Sequence, residues 1–197
     1  MTPSPGTPVD RMLTASLVLA PALTLIASLL FAGRGWDDGA AGAVQVIAGV
    51  LDILLVVRLV TWLDTLPRTA ALVLGLGALG AGGWVAYGIN TIETSLGNVD
   101  LVDVSGAATI IKPLGLCWPA MLIVVGAALL RTRRAPIPCA LGVLLAGVLL
   151  PISRIGNIAP LAIVVDVLVL ASLTTIPLLT REAAQARTDR MRAPAAT

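Results

Sequence analysis

Six stretches of this chain are long and apolar enough to cross a hydrocarbon core, and together they use up most of the sequence. They cover residues 12–33, 40–63, 69–90, 109–130, 137–154 and 158–179, each close to or above the ~20 residues that span a bilayer core at about 1.5 Å per residue. No water reaches the backbone in that layer, so an isolated apolar run must satisfy its N–H and C=O groups internally, as a helix does. The expected fold is all-α, a six-transmembrane helix bundle. Composition agrees, with 57% hydrophobic and 12% charged residues against about 25% charged in a soluble domain.

The basic residues orient the bundle. With the amino terminus inside, the cytoplasmic segments hold Arg11, Arg68, Arg131, Arg133, Arg134, Arg181, Arg187, Arg190 and Arg192, whereas the other side holds Arg34, Lys112 and Arg154. That asymmetry follows the positive-inside rule and predicts both termini in the cytoplasm. The domain organisation expected is a disordered tail over 1–11, a six-helix membrane domain over 12–180 and a basic cytoplasmic tail over 181–197. The first run is longer than a typical signal-peptide core and has only Arg11, offset by Asp10, before it, so it reads as a retained span. Arginine, alanine, valine and glycine richness points to a bacterial cytoplasmic membrane.

Several function classes drop out. A net charge of +2 with basic residues beside apolar runs predicts no nucleic-acid partner. The chain has no histidine, so the commonest metal ligand and the usual neutral-pH general base are missing. No metal and no cofactor are expected. Cys117 and Cys139 fall towards opposite ends of successive helices and should stay unpaired.

Ionisable residues at membrane depth are the functional candidates, because burying a charge there costs at least ~2.5 kcal/mol unless it faces a protein interior or a water-filled cavity. The stretch 44–64 carries Asp52 near its midpoint, with Gln45 within about 20° of the same helical face. Arg58 projects about 120° away from Asp52, so the two are not partners within the helix. Asp166 lies in the outer half of the last span. Trp84, Tyr87, Asn90, Lys112, Trp118, Arg154 and Asn157 also fall towards the outer ends of their helices. These positions predict a polar pocket opening outwards from the midplane, with Asp52 and Asp166 as catalytic candidates and Gln45, Trp84, Tyr87, Asn90, Lys112, Trp118, Arg154 and Asn157 as substrate-binding candidates. The structural alternative is that each acid pairs with Arg58 or Arg154 and fixes packing, which would carry no activity.

Other features read as architecture. Ala71, Gly75, Ala78, Gly82 and Ala86 form a small-residue stripe expected to receive a neighbouring helix. Trp36, Trp84 and Tyr87 suit an aromatic belt. The polar connection 91–108 is expected as an external loop, with a short strand or amphipathic turn over 99–104 and a lid role open.

Two resemblances follow from these residues. The segment 114–179, with GLCWPAMLIVVGAALLRTRRAPIPCALGVLLAGVLLP and then an acid-bearing helix, resembles an uncharacterised bacterial family of small multi-pass proteins. That likeness implies a fold and no activity, and Asp166 stands where the family tends to have Glu. One acid in the second span and one in the last is similar to the arrangement in integral-membrane terpene cyclases, which usually have seven spans. It implies acid-initiated cyclisation of a prenylated, lipophilic substrate by Asp52 and Asp166, and a carboxyl held protonated by apolar surroundings is the donor such chemistry needs. The rival expectations are a proton-coupled transporter or the substrate-binding subunit of a small-molecule importer, and a non-catalytic membrane partner protein. Partners expected are a lipophilic small molecule and membrane lipids, with a homo-oligomer left open.

Overall fold

The computed structural model describes the backbone of residues 6–192 and the side chains of 6–178. Six helices carry the chain: α1 Pro8–Arg34, α2 Gly39–Trp62, α3 Pro67–Ser95, α4 Ile111–Thr132, α5 Ile137–Ile155 and α6 Ala159–Arg192. All six are long and apolar enough to span a membrane, and among the described residues there is no strand. The chain is a multi-pass membrane protein.

Local chemistry explains the ends. Thr7 caps α1 by accepting from Asp10 N, and Pro8 suits the first helical turn. Helix α1 therefore starts before residue 12, and residues 8–11 belong to it, not to a tail. Asp38 caps α2 by accepting from Ala41 N at 2.8 Å, after Gly35 has turned the chain at φ 101°. The connections between α2 and α3, α4 and α5, and α5 and α6 are short, so successive helices run antiparallel. Backbone helix continues past residue 180 to Arg192. The expected tail over 181–197 otherwise lies outside the residues whose side chains are described.

Each helix packs on its sequence neighbours, and α6 returns to α1, closing a ring of six. Leu17, Leu55, Leu59, Leu122, Val125, Leu129 and Leu173 fill its interior with almost no exposure. Val18, Ile26, Ile47, Val50, Leu74, Leu79, Leu145 and Val164 cover the outside. Inside and outside are equally apolar, as expected where lipid is the solvent and helix association rests on close packing.

Small residues provide that packing, but not the stripe expected. On α3 the inward face is Val73, Gly77, Gly80, Ala81, Trp84 and Gly88. A Cβ on Gly80 would stand 2.6 Å from Trp118 N, and one on Gly83 would stand 2.5 Å from Gly115 N, so α3 and α4 touch backbone to backbone. Ala71, Gly75, Ala78 and Gly82 are exposed, and a Cβ on Gly75 or Gly82 would meet nothing within 4 Å. Gly75 and Gly77 differ by about 200° of helical phase. The glycine-rich helix has two small faces, and the ring uses the other one.

Candidate functional site

Three cavities among the described residues occur in order along the bundle. The largest of these three, about 550 Å³, is lined from α1 to α5 by residues that include Phe31, Gln45, Trp84, Leu116 and Arg154. A chamber of about 20 Å³ is lined by Pro21, Thr24, Asp52, Leu55, Trp118, Leu150, Asp166 and Val169. A third, about 420 Å³, is lined by Arg58, Thr61, Trp62, Leu129, Arg134, Ile176 and Pro177. Each touches helices that are not neighbours in the ring, so each lies on the ring's axis. Along α2 the order is Gln45, Asp52, Arg58, in steps of about 10 Å and 9 Å at helical rise. Between the chamber and the third cavity, Leu59, Leu122, Val125 and Leu173 form an apolar plug.

Asp52 and Asp166 meet in the middle chamber, and both are 3% exposed. Their situations differ. Asp166 accepts from Arg154 Nη2 at 3.2 Å and from Ser28 Oγ, and the same Nη2 donates to Ser28 Oγ at 2.7 Å. Asp52 makes no hydrogen bond or ion pair among the described residues. The chamber has room for about one water, far less than a prenyl chain needs. Arg58, the other conceivable partner of Asp52, pairs instead with Asp10 at 3.0 Å.

Arg154 floors the large cavity. Its guanidinium carbon lies 5.0 Å from the Trp84 ring centre and 5.8 Å from that of Trp36, which stacks on Phe31 at 5.2 Å. The rings hold the cation by the attraction of their π faces. Two buried donors on this floor have no partner among the described residues, Arg154 Nε and Trp84 Nε1. Walls of Leu116, Pro119, Leu150, Pro151 and Ile155 are apolar. Over the mouth lies the connection between α3 and α4, which forms turns and a 3-10 helix over Ala107–Ile110 in place of a strand. Asn90 fastens it: its Nδ2 donates to Asp100 Oδ1 at 2.9 Å and its Oδ1 accepts from Leu101 N at 2.7 Å. Lys112 reaches Asp103 at 3.3 Å.

Of the residues singled out from sequence, Gln45, Trp84, Tyr87, Asn90, Lys112, Arg154 and Asn157 line the large cavity. Trp118 lines the acid chamber instead. Gln45 Nε2 donates to Trp84 O at 3.4 Å, which ties α2 to α3 at the floor. Ser28, Phe31, Trp36 and Asp10 were not anticipated as partners. A signal existed for two of them, since Ser28 and Phe31 recur with Pro21 and Thr24 at three- and four-residue spacing on one face of α1. The aromatic belt also needs correcting: four tryptophans, one tyrosine and one phenylalanine are all the aromatic residues in the chain, and every one lines an axial cavity. Pro21, Pro119, Pro151 and Pro177, which interrupt four of the helices, line them too. Cys117 and Cys139 are free thiols, and among the described residues no group of His, Cys, Asp and Glu could hold a metal. Comparison with protein-family models, curated proteins and solved structures finds no match for this chain.

Proposed function

We propose that this protein is a carrier of the bacterial cytoplasmic membrane, with both termini inside, that takes a small amphipathic molecule into the large cavity and passes it along the axis. Asp52 is the protonatable group of the path. The observation behind this reading is the series of three axial cavities, with a carboxyl that has no partner at the narrowest point. Intramembrane acids in such positions serve proton relays and coupled carriers. Helices broken by proline beside a cavity are a further property of transporters, because freed backbone groups are tolerated where they line a cavity.

The test is labelling with a membrane-impermeant maleimide in a background lacking Cys117 and Cys139. Gln45→Cys should react from the outer face only and Thr61→Cys from the inner face only. Leu55→Cys, at the chamber, should react slowly from both. Reaction of Leu55→Cys from one face alone would refute the carrier.

A second reading has one observation in its favour, the shared chamber of Asp52 and Asp166. If that chamber widens around a lipophilic chain, the two acids stand as proton donor and cation stabiliser for cyclisation of a prenylated epoxide, under Trp118. Membranes carrying the wild type, Asp52→Asn or Asp166→Asn would then give different products from such epoxides. Identical products end that reading.

A further inference from the structure

We infer that the large cavity takes a small organic monocarboxylate, its anion on Arg154 and Trp84 and its apolar body against Phe31, Trp36, Leu116 and Pro119. This rests on the cavity being the substrate site of the carrier.

The charge of the ligand follows from what the floor leaves unused. Arg154 has five N–H donors. Among the described residues only its Nη2 is engaged, by Ser28 and Asp166. Nε is buried without an acceptor, and so is Trp84 Nε1 on the ring beneath the guanidinium, 5.0 Å from its carbon to the ring centre. A buried donor left unpaired costs about 1–3 kcal/mol, and an incoming carboxylate, which accepts at two oxygens, relieves it. Three further carboxylates line the cavity, and among the described residues none of them bonds Arg154 or Trp84 Nε1: Asp37 makes no ion pair with Arg154. Asp100 is held by Asn90 and Val102 N, and Asp103 by Lys112.

The number of charges follows from Asp166. It already opposes the single charge of Arg154, so what the floor offers a ligand is unused N–H donors and a residual positive charge, enough for one carboxylate and not for two. The shape follows from the walls. Phe31 and Trp36 stack face to face, and with Leu116, Pro119 and Leu150 they make an apolar wall that suits a planar or aliphatic body. The volume, about 550 Å³, is in the range of small-molecule sites. Both orphan nitrogens are covered as the protein stands, so the ligand reaches them by turning the Trp84 indole, and binding should be visible in tryptophan fluorescence.

The experiment titrates the full-length protein in nanodiscs with benzoate, benzamide, benzylamine and phthalate, four probes of similar body and different charge, followed by tryptophan fluorescence and calorimetry. Benzoate should bind at least about tenfold tighter than the other three, since a hydrogen-bonded charge is what they lack or misplace. Arg154→Gln should remove that preference. Asp166→Asn should tighten benzoate binding several-fold by freeing Arg154 from its internal competitor, a result that a merely structural role for the pair does not give. The ranking among probes needs no variant, so misfolding of either substitution leaves the test intact. Benzylamine or benzamide binding as well as benzoate, or no probe binding at all, overturns the assignment. Benzoate selectivity together with one-sided labelling of Leu55→Cys would uphold the ligand class and remove the carrier, whereas two-sided labelling without benzoate selectivity would do the reverse.

Discussion

Removing either member of the Arg154–Asp166 pair should destabilise the bundle, and unequally. At 3.2 Å the direct attraction of two unit charges in an effective dielectric of about 20 is about 5 kcal/mol, which desolvation largely offsets. The net worth of the pair is therefore small, but truncating one partner strands the other. Arg154→Gln leaves Asp166, 3% exposed, with only Ser28 Oγ as donor, and a loss of about 3–5 kcal/mol is expected. Asp166→Asn leaves Arg154, 15% exposed at the cavity edge, still bonded to Ser28 and still over two tryptophan faces worth about 0.5–2 kcal/mol. Its loss should be smaller, about 1–3 kcal/mol. The double variant keeps two neutral amides that can bond each other, so it should fall short of the sum by at least about 1 kcal/mol. Unfolding of the detergent-solubilised protein by increasing SDS, read by circular dichroism, measures all three. Additivity within about 0.5 kcal/mol would refute the pair as a unit. Equal losses from the two single variants would refute the claim that the rings hold the guanidinium.

Gly80→Ala and Gly83→Ala should each cost about 1–3 kcal/mol, because the added methyl meets the α4 backbone, whereas Gly75→Ala and Gly82→Ala should be neutral or stabilising; thermal stability in detergent ranks the four. Asn90→Ala removes the hydrogen bonds that fasten the connection over the mouth, so amide exchange over residues 98–104 should speed up by about tenfold while α4 and α5 stay protected. Asp10→Asn leaves the Arg58 guanidinium, whose Nε is already unpaired, without its carboxylate; a loss of about 1–3 kcal/mol is expected, recovered in part by Arg58→Met, and no recovery would show that the two are not coupled.

The spans were legible because one physical rule, backbone satisfaction in lipid, acts on each run separately, and length and hydropathy are local properties. The clustering of Gln45, Trp84, Asn90 and Arg154 was legible for a related reason: depth along a helix is a count of residues, and groups at one depth in a small bundle are close. What failed was everything that depends on which way a helix is turned about its axis. In lipid the outside of a span is as apolar as its inside, so the hydrophobic pattern that orients a soluble helix is nearly absent. Gly75 and Gly77 are chemically equal candidates for a contact, and only the assembled ring distinguishes them. Trp84 and Tyr87, expected in a belt, face inwards and line the large cavity. Asp10 was missed because Pro8 in a polar context reads as coil, although proline in a first turn favours the helix that carries Asp10 to Arg58.

The plug between the acid chamber and the third cavity says which part of the ring must move if the path conducts. Leu59 on α2, Leu122 and Val125 on α4 and Leu173 on α6 close the axis from three sides. Helices α2 and α3 interlock through Gly42, Gly49, Gly77 and Gly88, and α3 and α4 through Gly80, Gly83 and Gly115, with backbone facing backbone, a branched side chain or, at Gly115, the Tyr87 ring. Such contacts fix separation closely, because no flexible side chain lies between to take up a shift. Helix α6 meets α5 with side chains between them, since the hydrogen of Gly142 faces the Ser172 and Leu168 side chains, and Pro177 interrupts α6 just beyond Leu173. A proline removes one backbone hydrogen bond and loosens the helix at that turn. The α5–α6 contact at Gly142 is thus more compressible than the backbone contacts of α2, α3 and α4. An outward shift of α6 at Leu173 would withdraw that side chain from the plug while leaving Asp166 on Arg154. In that motion the chamber opens to the far cavity with the floor of the large cavity undisturbed, which is the separation of gates that a carrier requires.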